Sequence, residues 1–336
     1  MDDPSTGPRV VALGGGTGLA TLLRAVKRLP LGSLSAVVTV SDDGGSSGRL
    51  RQEYDMPPPG DVRNCLVALA QDDELLTRLF ALRLPGDGPT GGHPLGNLFM
   101  TALHHLTGDF PRAVRLAAEV LRVRGTVLPA TGDTVTLLGE GPNGEVLAGE
   151  TAISHGGPPR RVWLEPADPR ALPEALAAVA AAETIVIGPG SLYTSLIPNL
   201  LVPGLREAVV RAPARKVYIA NLVTQPGETD GFDLEKHLAE LARYAPGLRL
   251  DVVVLNTRPL PPDVAALYAA AGAELVRSHG TWHGPGVLLQ RDLLAVTGEG
   301  TVRHSQELLA ATLGEVLGVE PGRPAPEAGR STVSRG

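Results

Sequence analysis

The chain has 336 residues, 43% of them hydrophobic, which is enough to enclose one large α/β core. Thirty basic against 36 acidic residues, a net charge of −6, argue against a general nucleic-acid binder, and the single Cys65 excludes an internal disulfide or a cysteine-rich metal centre. No apolar stretch reaches the ~18 residues of a membrane span, and Met1–Arg9 is acidic and polar, unlike a secretory leader, so a cytoplasmic protein is expected.

Val10–Leu13 is an apolar run of strand length. Gly14, Gly15, Gly16, Thr17 and Gly18 follow, and an amphipathic helix is expected over Leu19–Leu29. Strand, glycine turn and helix in that order make a seat for an anion, because the free N–H groups and positive end of the helix point into the turn. The glycines fall one residue short of the Gly-x-Gly-x-x-Gly dinucleotide spacing, and no lysine follows them as in a Walker loop. The loop alone fits a phosphate and a tight packing turn equally well.

Leu34–Val40 is the second strand, and it runs into Ser41–Arg49. Asp42 and Asp43 lie near the place where a dinucleotide fold puts its ribose-binding acid, and Ser46 and Ser47 add hydroxyls. The pair of carboxylates also suits Mg²⁺. Beyond Pro57–Pro59, Asp61 is a candidate N-cap or ligand contact, with Arg63 and Asn64 in the next turn. Thr90–Asn97 is a further glycine-rich approach to a helix, Leu98–Leu106, and it carries His93 and Asn97. Thr126–Pro129, Val135–Leu138 and Val146–Ala148 read as a small antiparallel insertion spanning about 126–165, with Asn143-Gly144 as its hairpin turn.

Thr184–Ile187 is a buried strand followed by Gly188, Pro189, Gly190, Ser191, Thr194 and Ser195. This repeats the first loop's logic, with Ser191 and Thr194 as expected donors to phosphate and Ser191 also a candidate N-cap. Asn221–Thr229 is a polar loop after the strand Lys216–Ala220, and later strands are expected at Glu274–Arg277 and Leu293–Val296. Arg303 and His304 precede the last helix, Ser305–Leu317, and a tail rich in Pro, Ala, Gly and Ser follows.

Taken together, Gly14–Gly18, Ser41–Gly48, Pro57–Asn64, His93–Asn97, Gly188–Ser195 and Asn221–Thr229 resemble the gluconeogenesis factor family (YvcK-type), a branch of the CofD-like 2-phospho-L-lactate transferase superfamily. The resemblance runs from about Arg9 to Leu317. It implies a single CofD-like, Rossmann-type three-layer α/β domain over 9–318, with a mainly parallel sheet between a flexible start (1–8) and a disordered tail (319–336). It further implies a UDP-sugar ligand such as UDP-N-acetylglucosamine, and a homodimer. The implied role is regulatory, in cell shape and cell-wall synthesis during gluconeogenic growth, with cell-wall synthesis proteins as partners. Gly14–Gly18 and Gly188–Ser195 would hold the diphosphate. Asp42 and Asp43 would hold sugar hydroxyls or a metal, near Ser46, Ser47, Asp61, Asn64, His93, Asn97, Asn221 and Arg303. No catalytic residue is singled out. The alternative is a Mg²⁺-dependent phospholactate-type transferase with a nucleotide-diphospho donor. An NAD-dependent oxidoreductase is disfavoured by the shortened glycine spacing.

Overall fold

Apolar runs at six places in the chain, with one edge strand beside them, line up in one direction to make the main sheet of this computed structural model, which describes residues 7–71, 74–279 and 281–320. In chain order the strands are β1 (Arg9–Gly14), β2 (Ser33–Val38), β3 (Thr126–Pro129), β4 (Thr136–Glu140), β5 (Val146–Ala148), β6 (Arg161–Glu165), β7 (Thr184–Ile187), β8 (Arg215–Ile219), β9 (Val252–Asn256), β10 (Val287–Arg291), β11 (Leu294–Val296) and β12 (Val302–His304). The helices are α1 (Gly16–Val26), α2 (Gly45–Tyr54), α3 (Gly60–Leu69), α4 (Glu74–Ala81), α5 (Leu95–Thr107), α6 (Phe110–Val120), α7 (Glu150–His155), α8 (Pro173–Ala181), α9 (Ile197–Leu200), α10 (Leu205–Arg211), α11 (Leu234–Tyr244), α12 (Pro262–Ala270) and α13 (Gln306–Leu317).

The main sheet has the order β10-β9-β8-β7-β1-β2-β3, and each neighbouring pair in it is parallel. β7 and β9 are buried at every position, and β1 at all but Arg9. Successive side chains of a strand point to opposite faces, so such strands need cover on both. Helices supply it: α1 packs on α3 and α13, and α8 packs on α10. With few aromatics, Leu, Val, Ile and Ala fill the core.

The chain builds β1, β2 and β3 outward in one direction, then crosses back to lay β7 on the other side of β1. That reversal leaves a crevice at the carboxyl ends of β1 and β7, the position where open α/β sheets bind ligands. The register sets Leu13 beside Ile187, so the two glycine loops leave the sheet side by side.

Two readings of the sequence change. Thr126–Pro129 is not part of the insertion; it pairs parallel with β2 as the sheet edge, and the separate antiparallel sheet is β5-β4-β6. Its β4–β5 hairpin turns at Asn143-Gly144, where Gly144 has φ +86°. Glu274–Arg277 does not form a strand and contributes one bridge, Leu275 to Val223. Most of the expected flexible start and tail lies outside the described residues. Among the described residues no helix is long and apolar enough to cross a membrane.

Candidate functional site

The first glycine loop turns directly into α1. Gly15 is extended and Gly16 takes φ +62°, a conformation that L side chains rarely adopt, so the helix starts at Gly16 and not at Leu19. The first i→i−4 bond of this turn is Leu19 N–H to the Gly15 carbonyl, 3.2 Å. The amides of Gly16, Thr17 and Gly18 therefore precede the helical ladder. The second loop begins as Gly188 N–H donates to the Leu13 carbonyl, 3.1 Å, and it enters a π turn at Leu192–Leu196 before α9. The two loops touch through glycine: a Cβ on Gly18 would fall inside contact distance of the Pro189 carbonyl oxygen and 3.0 Å from Gly190 Cα. The side chain of Asn199, fully buried, ties them together. Its Nδ2 donates to the carbonyls of Gly14 (3.1 Å) and Ser195 (2.8 Å).

Between the loops lies a cleft of about 330 Å³, lined by Gly15, Gly16, Thr17, Gly18, Thr21, Pro189, Gly190, Ser191, Ser195, Asn221, Leu222, Val223, Gln225, Val302, Arg303 and His304. Of the residues expected to grip a diphosphate, all but Gly14, Gly188 and Thr194 line it. The β11–β12 hairpin brings Arg303 to its rim, where Nη1 donates to Thr17 Oγ1 at 3.2 Å. Gly190 N–H donates to Asn221 Oδ1 at 3.2 Å. Burial pushes His304 down to about 4, so the imidazole is neutral.

The hydroxyls of the second loop do not serve as expected. Thr194 Oγ1 donates to Ser191 Oγ (2.7 Å), and Ser191 Oγ donates to Glu228 Oε2. Glu228 also accepts from Tyr193 N–H at 2.8 Å. Both hydroxyl protons are thus committed to protein acceptors, and Ser191 makes no side-chain cap at the start of the π turn. Glu228 is fully buried, and burial raises its pKa against the bonds from Ser191 and Tyr193.

Asp42, Asp43 and Asp61 form a second group one strand over, outside the lining of the cleft. Asp61 is no N-cap: α3 begins at Gly60, and Asp61 reaches 45 residues back in sequence to accept Gly16 N–H at 2.7 Å. Burial, and then the charge of Asp42, push it up to about 7, against the Gly16 amide and Arg63. Asp42 accepts Gly44 N–H (2.9 Å), and Asp43 Oδ1 accepts both N–H (3.0 Å) and Oγ1–H (3.2 Å) of Thr151 in α7. Glu150 of the same helix accepts from Ser41 Oγ (2.7 Å), and burial plus Asp61 and Asp42 hold its pKa well above the usual range. Arg51 and Arg63 are nearby cations that oppose this cluster's charge. The insertion thus supplies a fourth carboxylate that the sequence did not reveal.

A third group is wholly internal. The loop Ser41–Arg49 becomes α2 at Gly45, and Ser46 Oγ meets His93 Nδ1 at 2.7 Å while accepting from Asn97 Nδ2 at 2.9 Å. His93 is 2% and Asn97 1% exposed, so both pack these segments together. Ser47 is buried in the first turn of α2, and Asn64 accepts from its neighbour Arg63 at 2.6 Å.

Asn199 and Glu228 carry no local signal as site residues. Asn199→Ala is expected to remove the tie between the loops, leaving the Gly14 carbonyl its bond from Thr39 N–H (3.0 Å), and to cost about 1 kcal/mol, read as a fall in melting temperature.

Known proteins extend this picture. The family described as 2-phospho-L-lactate transferase CofD matches residues 10–287. A gluconeogenesis factor from Halalkalibacterium halodurans is 48% identical over 268 residues, covering 80% of this chain and 83% of that protein. One from Bacillus subtilis (strain 168) is 41% identical over 312 residues, covering 92% and 98%. A crystal structure of a Bacillus halodurans protein, 43% identical, superposes with a TM-score of 0.87 over 93% of this chain and 99% of that one. With a match of this extent, the chain belongs to the CofD family and, within it, to the gluconeogenesis factors.

Proposed function

We propose that this protein binds a nucleotide sugar of the UDP-N-acetylglucosamine kind and acts as a cytoplasmic regulator, without turning the ligand over. The observation that carries the reading is the meeting of two glycine loops at the reversal point of the sheet, with Arg303 at the rim. The main-chain amides of Thr17 and Gly18 at the start of α1 take the diphosphate, the Gly16 amide being held by Asp61, and Arg303 adds a positive charge beside it. The role in cell shape and cell-wall synthesis during gluconeogenic growth, the cell-wall partners and the dimer belong to the same proposal and rest on family resemblance.

The carboxylates beside the cleft favour a second reading, a Mg²⁺-dependent transferase. Among the described residues no group of three or more His, Cys, Asp or Glu side chains is placed to hold a metal. Mg²⁺ commonly takes one or two carboxylates and completes its shell with water and substrate phosphates. Asp42 and Asp61, whose charges oppose each other, suit that arrangement. Asp43 is already engaged by Thr151. The residues therefore fit a metal that arrives with a nucleotide, and the ion would offset the mutual repulsion of the two carboxylates.

Calorimetry with UDP-N-acetylglucosamine, UDP, GDP and NAD tests the first reading; the uridine ligands are expected to bind and NAD is not. Incubation with Mg²⁺ and UDP-N-acetylglucosamine should leave the sugar nucleotide intact. Its slow loss would replace the regulator by the transferase.

A further inference from the structure

The hydrogen-bond chain behind the second loop fixes which way Ser191 faces chemically. A hydroxyl has one proton to give and two lone pairs to receive. The proton of Ser191 goes to Glu228, and one lone pair receives Thr194. What Ser191 Oγ has left for the cleft it lines is a single lone pair. It can accept, and it cannot donate.

We infer that Ser191 Oγ forms an acceptor-only edge of the cleft, set by Glu228 as a positioning residue, that takes an N–H or O–H group from the uncharged part of a bound nucleotide. The inference rests on the nucleotide reading and deepens it. The cleft is polarised: amides and Arg303 donate to phosphate oxygens, while this edge reads donors. A phosphate oxygen at Ser191 would meet a lone pair and be repelled. The donor is an imide or amine of the base or a hydroxyl of a sugar, which share this chemistry.

Glu228→Gln gives a reversal that loss of packing would not give. The amide keeps the Tyr193 bond through its oxygen and donates its NH₂ to Ser191, whose proton is then released toward the cleft. The full chain is titrated calorimetrically with pyrophosphate, UDP and UDP-N-acetylglucosamine. In E228Q the sugar nucleotide should weaken about tenfold, while pyrophosphate binds equally well or tighter. S191A should weaken the nucleotide about tenfold and leave pyrophosphate within about twofold, which also shows that the variant folds. A loss already present with UDP places the donor on the uridine; a loss confined to UDP-N-acetylglucosamine places it on the sugar.

Equal losses for pyrophosphate and nucleotide, or no change in any variant, would overturn the acceptor edge. Should the wild type bind GDP or CDP instead of the uridine ligands, the UDP reading fails, and the same contrast on that nucleotide decides this inference alone. Binding of pyrophosphate with no nucleoside diphosphate sinks the acceptor edge, and binding of nothing sinks both.

Discussion

Gly18→Ala is expected to destabilise the protein by about 2 kcal/mol and to weaken nucleotide binding at least about tenfold. Two effects compete at this position. Gly18 lies within α1, where alanine gains about 1 kcal/mol of helix propensity. Against that, the new methyl meets the Pro189 carbonyl oxygen and Gly190 Cα, which belong to the backbone of the facing loop and cannot swing aside as a side chain would. Overpacking costs of about 1–3 kcal/mol are common, and more is expected where both partners are main chain. The penalty wins, and the loops are forced apart where the anion should sit. Gly298→Ala is the control, since a Cβ there has nothing within 4 Å. Chemical denaturation gives the stability of both variants and calorimetry the affinity. A Gly18→Ala protein as stable as its control would mean that the loops have slack and do not form a fixed cradle.

The second large effect concerns pH. Asp61 ionises near 3.8 in the unfolded chain and near 7 in the fold. Between these values the folded state holds a proton that the unfolded state has lost. Stability is therefore greatest at the acid side of this window and declines as pH rises through it, by up to about 1.4 kcal/mol per pH unit for one such group. Glu150 moves in the same direction, because burial and Asp61 both raise it. Asp61→Asn removes the charge and keeps an oxygen for Gly16 N–H. The substitution should raise stability at pH 8 on the order of 2 kcal/mol, change little at pH 4, and flatten the slope between them. It also relieves Glu150, so the flattening should exceed the share of one group. Thermal melts from pH 4 to 8 decide the matter, and a slope as steep as that of the wild type would show that Asp61 is ionised throughout.

Much of this architecture was legible in the chain. β1, β7 and β9 announce themselves as unbroken apolar runs, because a strand covered on both faces has no polar side to show. The glycine clusters located the cleft, since close approach of two backbones excludes side chains and leaves that mark locally. Arg303 and Asn221 were legible as polar residues at loop positions, and both line the cleft. What escaped was long-range polar pairing. Asp61 sits where a cap belongs, yet its partner is 45 residues away. Glu228 lies 37 residues from Ser191, and Asn199 lies 185 residues from Gly14, so no spacing rule links them. α2 escaped for another reason: Gly45-Ser46-Ser47-Gly48 has poor helix propensity, and contacts to His93 and Asn97 hold its first turn. Thr126–Pro129 looked like its antiparallel neighbours because a short edge strand does not record which sheet it joins.

The hydrogen bond from Arg303 to Thr17 joins positions 286 residues apart, and α13 docks on α1 over a similar distance. The rim of the pocket is thus complete only once the chain has been made through the β11–β12 hairpin. Until the β11–β12 segment has emerged, a growing chain presents glycine turns without their arginine rim. The cleft and its charged rim therefore form only in chains that have been made through this hairpin.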